Sequence, residues 1–478
     1  MSLRLRPYPE YRDSGIPWLG AVPEHWDVRR SKYILREIDD RTPDGREQLL
    51  SVSQQTGVTP RRPRDGGEEP GTRAASLVGY KRVSPGDLAV NIMLAWNGSL
   101  GVARDPGIVS PAYCVYRFRD HIDPWYYHSL LRLPAYRERI RSVSTGVVES
   151  RLRLYSDDLY CVEALLPPAE EQEHIARFVD ASDGRINRLI RAKRRMIELL
   201  NEQKQAIIHR AVTRGLDPNV RLKPSGVDWL GNVPDHWEVV ALRHRYSQCL
   251  GKMLDSKRIT GNHSLPYLRN TDVQWDRINI KDLPTMDIPQ TEYDRYNVQK
   301  GDLLVCEGGE IARCAIWSGE LAVCGFQKAL HRLRPRNAGR DVPRFMYYAL
   351  RAAAKGNAFN DGHLSTIAHL TGDKLRAHRF PFPPMTEQES LVSLLDSALK
   401  QVDQAVFTAA REIALLREYR TRLIADVVIG KLDVRAAAAR LTDEGDEPEP
   451  LDDAEALAEG NEETEGADFD AVPEEAEA

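Results

Sequence analysis

The 478-residue sequence has no apolar run long enough to cross a membrane, and its first residues lack the hydrophobic segment of a signal peptide. Its six cysteines form no C-x-x-C pair and no framework of regular spacings. Both observations favour a cytoplasmic protein without disulfides or a structural zinc site. We therefore interpret the cysteines as packing residues, namely Cys114, Cys161, Cys249, Cys306, Cys314 and Cys324.

The usual catalytic motifs are missing as well. Gly430 and Lys431 lack the upstream glycine of a nucleotide-binding P-loop and are followed by Leu432, which argues against an ATP-driven motor. The two Pro-Pro pairs follow Leu166 and Phe382, so neither forms the [ND]-P-P-[YF] motif of an amino-methyltransferase. Neither H-E-x-x-H nor G-x-S-x-G occurs. The sequence predicts that this chain is not an enzyme.

Charge is distributed unevenly along the chain. The formal net charge is −5, but residues 443–478 contain 17 Asp and Glu and no Lys or Arg. The preceding residues therefore carry +12, which suits a polyanionic partner. We expect the acidic tail to be disordered, either as a solubilising extension or as a DNA mimic that limits non-specific binding.

An internal repeat is the strongest pattern in the sequence. Residues 14–26 and 225–237 agree at nine of thirteen positions, and both contain W-L-G-x-V-P-x-H-W, here named the tryptophan motif. A second match joins PPAEEQE at Pro167 to PPMTEQE at Pro383, here named the EQ motif, and continues at a constant offset of 216 residues to Asp217 and Asp433. A repeat this long indicates a duplicated domain rather than a solenoid unit.

The repeat predicts two variable domains, each followed by a long helix. The intervening sequences diverge, although S-P-G-D-L at Ser84 echoes Q-K-G-D-L at Gln299. The predicted segments are two domains at 14–166 and 225–382, two helical spacers at 167–217 and 383–435, and the acidic tail at 443–478.

Apolar residues in both helical segments recur at the alternating three-and-four spacing of a coiled coil. Each segment of about 45 residues would form a helix roughly 65 Å long. Such a helix needs a partner for its apolar seam: the other copy packed antiparallel, a second molecule, or another protein. Thr386 and Glu389 match a capping box at the start of the second helix. The predicted seams are Ile175, Val179, Ile186, Leu189, Ile197, Leu200, Ile207 and Ala211, and Leu391, Leu395, Val402, Ala405, Ala409, Ile413, Leu416, Leu423 and Val427.

The variable domains alternate short β-branched or aromatic runs with Gly, Pro and Asp turns, which predicts mixed α/β domains with long loops. Basic residues on these loops are candidates for phosphate or guanine contacts. Gly66-Gly67 and Gly308-Gly309 suit either a close approach to phosphate or an ordinary turn. The candidate DNA-binding residues are Arg61, Arg62, Arg64, Lys81, Arg82, Lys252, Lys257, Arg258 and Arg269.

The tryptophan motifs, the EQ motifs and the G-K-L-D-V-R sequence at Gly430 together resemble the specificity subunit of type I restriction-modification enzymes. The likeness covers residues 14 to about 435 and includes the order of the elements. It implies an α/β fold in which two target-recognition domains are separated by an antiparallel pair of long helices. It also implies that each domain reads half of a bipartite asymmetric site on double-stranded DNA, while the helices set the gap.

The same resemblance implies two methyltransferase subunits docked on the helices, together with restriction subunits. S-adenosylmethionine, ATP and Mg²⁺ would then belong to those partner chains. Arg214-Gly215-Leu216 departs from Gly430-Lys431-Leu432 in the first copy, which puts one docking contact in doubt. Two other hypotheses are an enzyme with an unrecognised active site and a scaffold that never touches DNA.

Overall fold

The computed structural model describes residues 5–61, 74, 76–119, 121–148, 151–254, 261–356, 358–359 and 369–441. The predicted Arg62, Arg64, Lys257 and Arg258, the Gly66-Gly67 pair and the acidic tail lie outside the described residues. The chain divides into two compact units, residues 1–191 with 413–478 and residues 192–412. Both boundaries fall inside long helices, so each unit contains the start of one long helix and the end of the other.

The first unit is a mixed α/β domain followed by a long helix. Its strands are short, as expected where Gly, Pro and Asp interrupt the β-branched runs. The strands are β1 (Tyr11–Asp13), β2 (Ala21–Pro23), β3 (Asp27–Arg30), β4 (Leu35–Ile38), β5 (Leu50–Ser53), β6 (Gly57–Pro60), β7 (Lys81–Val83), β8 (Leu88–Val90), β9 (Leu100–Val102), β10 (Gly107–Val109), β11 (Cys114–Phe118) and β12 (Glu163–Leu166). The helices are α1 (Pro124–Leu131), α2 (Pro134–Val143), α3 (Ser156–Cys161) and the long α4 (Ala169–Arg214).

A four-stranded antiparallel sheet in the order β4-β11-β8-β9 forms the centre of this unit. Val115 pairs with Ala89 on one side and with Ile38 on the other. The hairpin β5-β6 and the pair β7-β10 meet through a bridge between Leu49 and Ile108. Strand β12 pairs with β3, which brings the end of the domain back to the tryptophan motif.

The second unit repeats this plan. Its strands are β13 (Leu222–Pro224), β14 (Asn232–Pro234), β15 (Glu238–Ala241), β16 (Tyr246–Leu250), β17 (Ser264–Leu268), β18 (Val273–Gln274), β19 (Arg277–Ile278), β20 (Thr285–Asp287), β21 (Leu303–Cys306), β22 (Cys314–Ile316), β23 (Gly325–Phe326), β24 (Leu330–Pro335) and β25 (Arg379–Phe382). The helices that follow in chain order are α5 (Tyr293–Tyr296), α6 (Pro343–Lys355), α7 (Gly372–Ala377), the long α8 (Met385–Val428) and α9 (Arg435–Ala438). Helix α9 belongs to the first unit.

The central sheet of the second unit has the order β16-β24-β21-β22, the counterpart of β4-β11-β8-β9. Leu303 pairs with Leu333, and the pair β15-β25 corresponds to β3-β12. One insertion differs: β17 pairs antiparallel with β20 and parallel with β23. The divergent sequences therefore share one framework, as the repeat predicts.

In each unit, the domain core continues onto the long helices. In the first unit, Ile175 and Val179 near the start of α4 join the same apolar cluster as Leu423 and Val427 near the end of α8. In the second unit, Leu391 and Leu395 at the start of α8 share a cluster with Ile208 and Val212 at the end of α4. Each domain is thus covered by the start of its own helix and the end of the other.

Ion pairs show that the helices run antiparallel within each unit. In the second unit, Lys193 of α4 pairs with Glu412 of α8, and Lys204 pairs with Asp403. Position numbers rise along one helix as they fall along the other. In the first unit, Asp183 pairs with Arg420. An antiparallel partner from the other copy is one of the alternatives left open by the sequence.

The burial pattern of α4 corrects one predicted seam residue. Leu189 is 48% exposed, whereas its neighbour Ile190 is 6% exposed and occupies the seam. The three-and-four spacing selected Leu189, one residue before the true seam position, because both residues are apolar. Other predicted positions are buried or partly buried, and Ile190, Ile208 and Leu399 are buried seam residues that the prediction omitted.

The predicted capping box at Thr386 is also wrong. Helix α8 begins at Met385, so Thr386 lies in its first turn, and the backbone N–H groups of Glu387 and Gln388 donate to the Pro384 carbonyl. Pro384, the residue before the helix, supplies the first carbonyl acceptor. Thr386 therefore lies two residues past the capping position.

Candidate nucleic-acid interface

The described cations of the first predicted group lie just after β6 and on β7. Arg61 follows β6, and its backbone N–H donates to the carbonyl of Leu49, the residue before β5. Lys81 and Arg82 lie on β7, where Lys81 is only 7% exposed. Arg82 Nε lies 2.8 Å from a carboxylate oxygen of Glu47. Hydrogen bonds from Thr42 and Arg82 lower the pKa of Glu47 to about 2. The side chains of Lys81 and Arg82 are therefore partly engaged inside the domain and are not simply free surface charges.

The second group is arranged similarly. The Lys252 backbone forms a bridge with Gln327, whose own N–H donates to Leu268, the residue before Arg269. The side chain of Lys252 pairs with Glu292. Arg269 forms a two-pronged pair with the buried Asp272, at 2.9 and 2.8 Å. The backbone of Gln327 therefore links the segments that carry the two cations, and each cation lies beside a carboxylate.

The repeated G-D-L sequence has a structural explanation. Asp87 accepts two hydrogen bonds from Arg117 of β11, at 2.9 and 3.0 Å. Asp302 accepts two from Arg334 of β24, at 2.6 and 2.7 Å. Both aspartates are nearly buried, and paired buried carboxylates hold strands in register. The G-D-L sequence thus belongs to the shared framework.

In each copy, the tryptophan motif contacts the EQ motif. His25 Nε2 of the first tryptophan motif lies 2.8 Å from Glu171 of the first EQ motif, and His236 lies 2.8 Å from Glu387 in the second. The following glutamine is used in the same way in both copies, because Gln172 accepts from the backbone of Asp123 and its counterpart accepts from the backbone of Val342, each at 2.9 Å. The conserved spacing therefore attaches each domain to the start of its helix.

Two arginines at matched positions, which were not among the predicted site residues, contact hairpins of the two domains. Arg132, at the end of α1, donates to the carbonyls of Gln54, Gln55 and Leu100, at 2.7 to 2.9 Å. Burial lowers its pKa to about 10. Its counterpart Arg351 lies 5.8 Å from the ring of Trp275, in the corresponding hairpin. Leu131-Arg132 of the first copy matches Leu350-Arg351 of the second, and this match was the available sequence signal.

Each domain has a region, here named the variable edge, in which the two copies have equivalent backbone hydrogen bonds but different side chains. It comprises Trp96, Arg141, Arg151 and Arg153 in the first unit, and Gln248, Asn270 and His331 in the second. Its backbone landmark in the first unit is Leu154 N–H, which donates to Ile92 O at 2.9 Å. The counterpart is Leu370 N–H, which donates to Glu307 O at 2.7 Å.

In the first unit, the variable edge is cationic and aromatic. The Arg141 guanidinium lies 5.9 Å from the Trp96 ring. Arg151 and Arg153 are exposed, and the backbone of Arg153 pairs with Thr145. An arginine-rich edge with an aromatic ring suits contact with phosphates and base edges.

In the second unit, the variable edge carries amides and imidazoles instead. Gln248 Nε2 donates to His331 Nδ1 at 2.8 Å, and His331 Nε2 donates to Leu370 O at 2.9 Å. Burial lowers the pKa of His331, which keeps it neutral for these bonds. Asn270 Nδ2 donates to Gly308 O at 3.1 Å. A Cβ on Gly308 would lie 3.1 Å from His369 Nδ1, so close packing explains this glycine.

The described residues contain no group of three or more His, Cys, Asp and Glu arranged to hold a metal ion. Among them, too, no helix has the length and hydropathy needed to span a bilayer. All six cysteines are free thiols, and three of them, Cys306, Cys314 and Cys324, are buried.

A family model described as the type I restriction modification DNA specificity domain matches residues 234–405. The matched range covers most of the second domain and the first half of α8, including Arg334 and Glu387.

Curated relatives are similar along more of the chain. The putative specificity subunit of the MjaX type I restriction enzyme of Methanocaldococcus jannaschii is 21% identical over 322 residues, which cover 66% of this chain and 70% of the relative. The specificity subunit of the EcoKI type I restriction enzyme of Escherichia coli is 23% identical over 57% of this chain and 59% of the relative.

Solved structures share the fold. A chain from a study of complex assembly and conformational transition of the type I restriction-modification system matches with a TM-score of 0.65 and 20% identity, covering 86% of this chain and 99% of the other. The HsdS subunit from Thermoanaerobacter tengcongensis matches with a TM-score of 0.54 and 19% identity, covering 86% and 98%.

These matches agree with the resemblance that the sequence motifs show to type I specificity subunits. The solved structures confirm the predicted fold class, mixed α/β domains with long helices. The matching family is described as a DNA specificity domain, and the curated relatives are named as specificity subunits of type I restriction enzymes.

Proposed function

We propose that each recognition domain reads one half of a bipartite, asymmetric DNA target, and that the two long helices set the gap between the halves. The single observation that carries this proposal is the contrast between the shared framework and the two variable edges. Asp87-Arg117 and Asp302-Arg334 hold equivalent strands, while the edges above them present different chemistry. One framework with two different surfaces suits two different half-sites.

The side chains of the variable edges favour different bases. Arginine pairs well with guanine, as Arg151 or Arg153 would in the first half-site. Asparagine and glutamine pair with adenine, as Asn270 or Gln248 would in the second once its amide turns away from Gly308 O or His331 Nδ1. The predicted cations Arg61, Arg82, Lys252 and Arg269 remain candidates for phosphate contacts, which position the protein without reading sequence.

Methylation mapping tests the assignment. The wild-type chain with its methyltransferase partner should yield one gapped motif. Arg153→Ala should relax one position of one half-site by about 1 to 3 kcal/mol and leave the other half unchanged. Asn270→Ala should affect only the opposite half. If either variant changed both halves, the division of labour between domains would be refuted.

The helices supply the spacing in this proposal. Helix α4 has 46 residues and α8 has 44, so each is roughly 65 to 70 Å long. Inserting one turn of four residues adds roughly 6 Å, the rise of about two base pairs. The insertion should lengthen the gap and preserve both half-sites. A changed half-site with an unchanged gap would show that the helices are not the ruler.

Partner chains provide the chemistry. We propose that two methyltransferase subunits dock on the exposed faces of the helices and bring S-adenosylmethionine, and that restriction subunits bring ATP and Mg²⁺. In the second unit, an open groove beside the start of α8 is a candidate docking surface, lined by residues that include Leu216, Ser390, Ser393 and Leu394. A subunit that reads chromosomal DNA would work in the cytoplasm.

A scaffold that never touches DNA is the remaining rival, and a salt titration of the complex separates the two. A protein with about 6 to 10 phosphate contacts loses roughly three to five decades of affinity between 50 and 200 mM salt. Binding that is absent, or that does not respond to salt, would favour the scaffold. DNA methylation or cleavage by the purified chain alone would favour a hidden enzyme.

A further inference from the structure

Two aspartates on the long helices occupy equivalent positions. Asp180 of α4 and Asp396 of α8 are separated by the repeat offset of 216 residues. Both side chains are largely solvent-exposed, at 59% and 45%. Neither belongs to the tryptophan or EQ motifs.

In each unit, the aspartate is bound by an arginine of the recognition domain. Arg104, between β9 and β10, donates to Asp180 through Nη2 at 2.8 Å. Arg344, in the first turn of α6, donates to Asp396 through Nε and Nη2, at 3.0 and 2.9 Å. Tyr348 also donates to Asp396. Both aspartates therefore link a helix to the domain of its own unit.

The two arginines come from positions that do not correspond. The P-W-Y-Y sequence of the first copy aligns with P-R-F-M of the second, so Trp125 occupies the position of Arg344. The guanidinium of Arg104 lies 4.2 Å over the ring of Trp125. The first domain thus delivers a guanidinium from another loop to nearly the place that Arg344 occupies in the second.

The position along the helix gives this contact a mechanical role. Each domain is already attached at the EQ motif, through His25 and Glu171 or through His236 and Glu387. Asp180 lies nine residues beyond Glu171, roughly 13 Å farther along the helix axis. Apolar packing between these points is not directional. A second polar attachment prevents the domain from pivoting about the first.

We propose that Asp180 and Asp396 are positioning residues that fix the angle of each recognition domain on its helix, and thereby the gap length that the protein accepts. This inference rests on the proposed function. It assigns no contact with DNA to either residue.

The test uses the full chain in complex with its methyltransferase partner and DNA duplexes carrying the mapped half-sites. Affinity is measured for the native gap and for gaps one base pair shorter and longer. Asp180→Asn and Asp396→Asn keep the size of the side chain and remove its charge. The control is Glu198→Gln, which removes a similarly exposed ion pair with Arg195, 2.7 Å long, that lies wholly within α4.

We expect each aspartate variant to reduce the preference for the native gap by roughly fivefold, the factor that the loss of one surface ion pair would produce. Melting temperature and the half-site sequences should stay as in the wild type. The control should keep the full preference. The double variant Arg104→Asp with Asp180→Arg, which reverses the pair, should restore it.

An unchanged gap preference in both aspartate variants would overturn the inference. A comparable loss in Glu198→Gln would also overturn it, because any ion pair on the helix would then suffice. If the wild-type complex recognised no gapped target, the proposed function itself would fail. That outcome is distinct from an intact target whose gap preference the aspartates do not affect.

Discussion

Glu171 and Glu387 attach the two domains to their helices at matched sequence positions, but they accept different numbers of hydrogen bonds. Glu171 is almost completely buried and accepts from Trp26 Nε1 at 3.1 Å, from Tyr8 Oη, and from His25. Glu387 is 25% exposed. Its recorded partner is His236, and among the described residues Trp237 Nε1 has no hydrogen-bond partner.

We predict that Glu171→Ala destabilises the first unit far more than Glu387→Ala destabilises the second. Removing Glu171 leaves the buried Trp26 N–H and Tyr8 hydroxyl unpaired, at about 1 to 3 kcal/mol each, for a total of roughly 2 to 6 kcal/mol. Removing Glu387 affects a half-exposed histidine that water can solvate, at about 0 to 1 kcal/mol.

Hydrogen exchange with mass spectrometry measures this difference, because it reports on each unit separately where a single unfolding curve would not. Protection around Trp26 should fall strongly in Glu171→Ala, and protection around Trp237 should change little in Glu387→Ala. Glu171→Gln is the graded control, since it keeps one oxygen acceptor and should lose less. Equal losses in the two alanine variants would refute the claim that the extra donors make the first site stronger.

Three further outcomes are expected. Ile190→Asp should cost about 3 kcal/mol or more in chemical unfolding by placing a charge in the helix seam, whereas Leu189→Asp should stay within about 0.5 kcal/mol; the opposite order would restore the original register. Burial lowers the pKa of His128 to about 3, so the unfolded state binds its proton first and stability should fall as the pH drops below about 6.5; His128→Gln should flatten this loss in an acid titration. Asp302→Asn should destabilise the second unit in thermal unfolding by about 1 to 3 kcal/mol, since it weakens the paired bonds from Arg334, and a neutral result would remove G-D-L from the framework.

The sequence by itself determined the duplication, the two long helices and the resemblance to type I specificity subunits. These features follow from local order: the tryptophan and EQ motifs recur at fixed spacing, and apolar residues recur at helical spacing. Such patterns can be read from the sequence alone, because each motif or helical turn consists of residues that are close together in the chain.

The tertiary structure decided what the repeated residues do. Only folding brings His25 to Glu171 across 146 residues, and only packing distinguishes Ile190 from Leu189 on a helix where both are apolar. Basic residues such as Arg82 and Arg269 are indistinguishable in sequence from phosphate ligands, yet in the folded chain each is bound by a carboxylate. The arginine that reaches Asp180 could not be found from the repeat at all, because the first copy supplies it from a different loop.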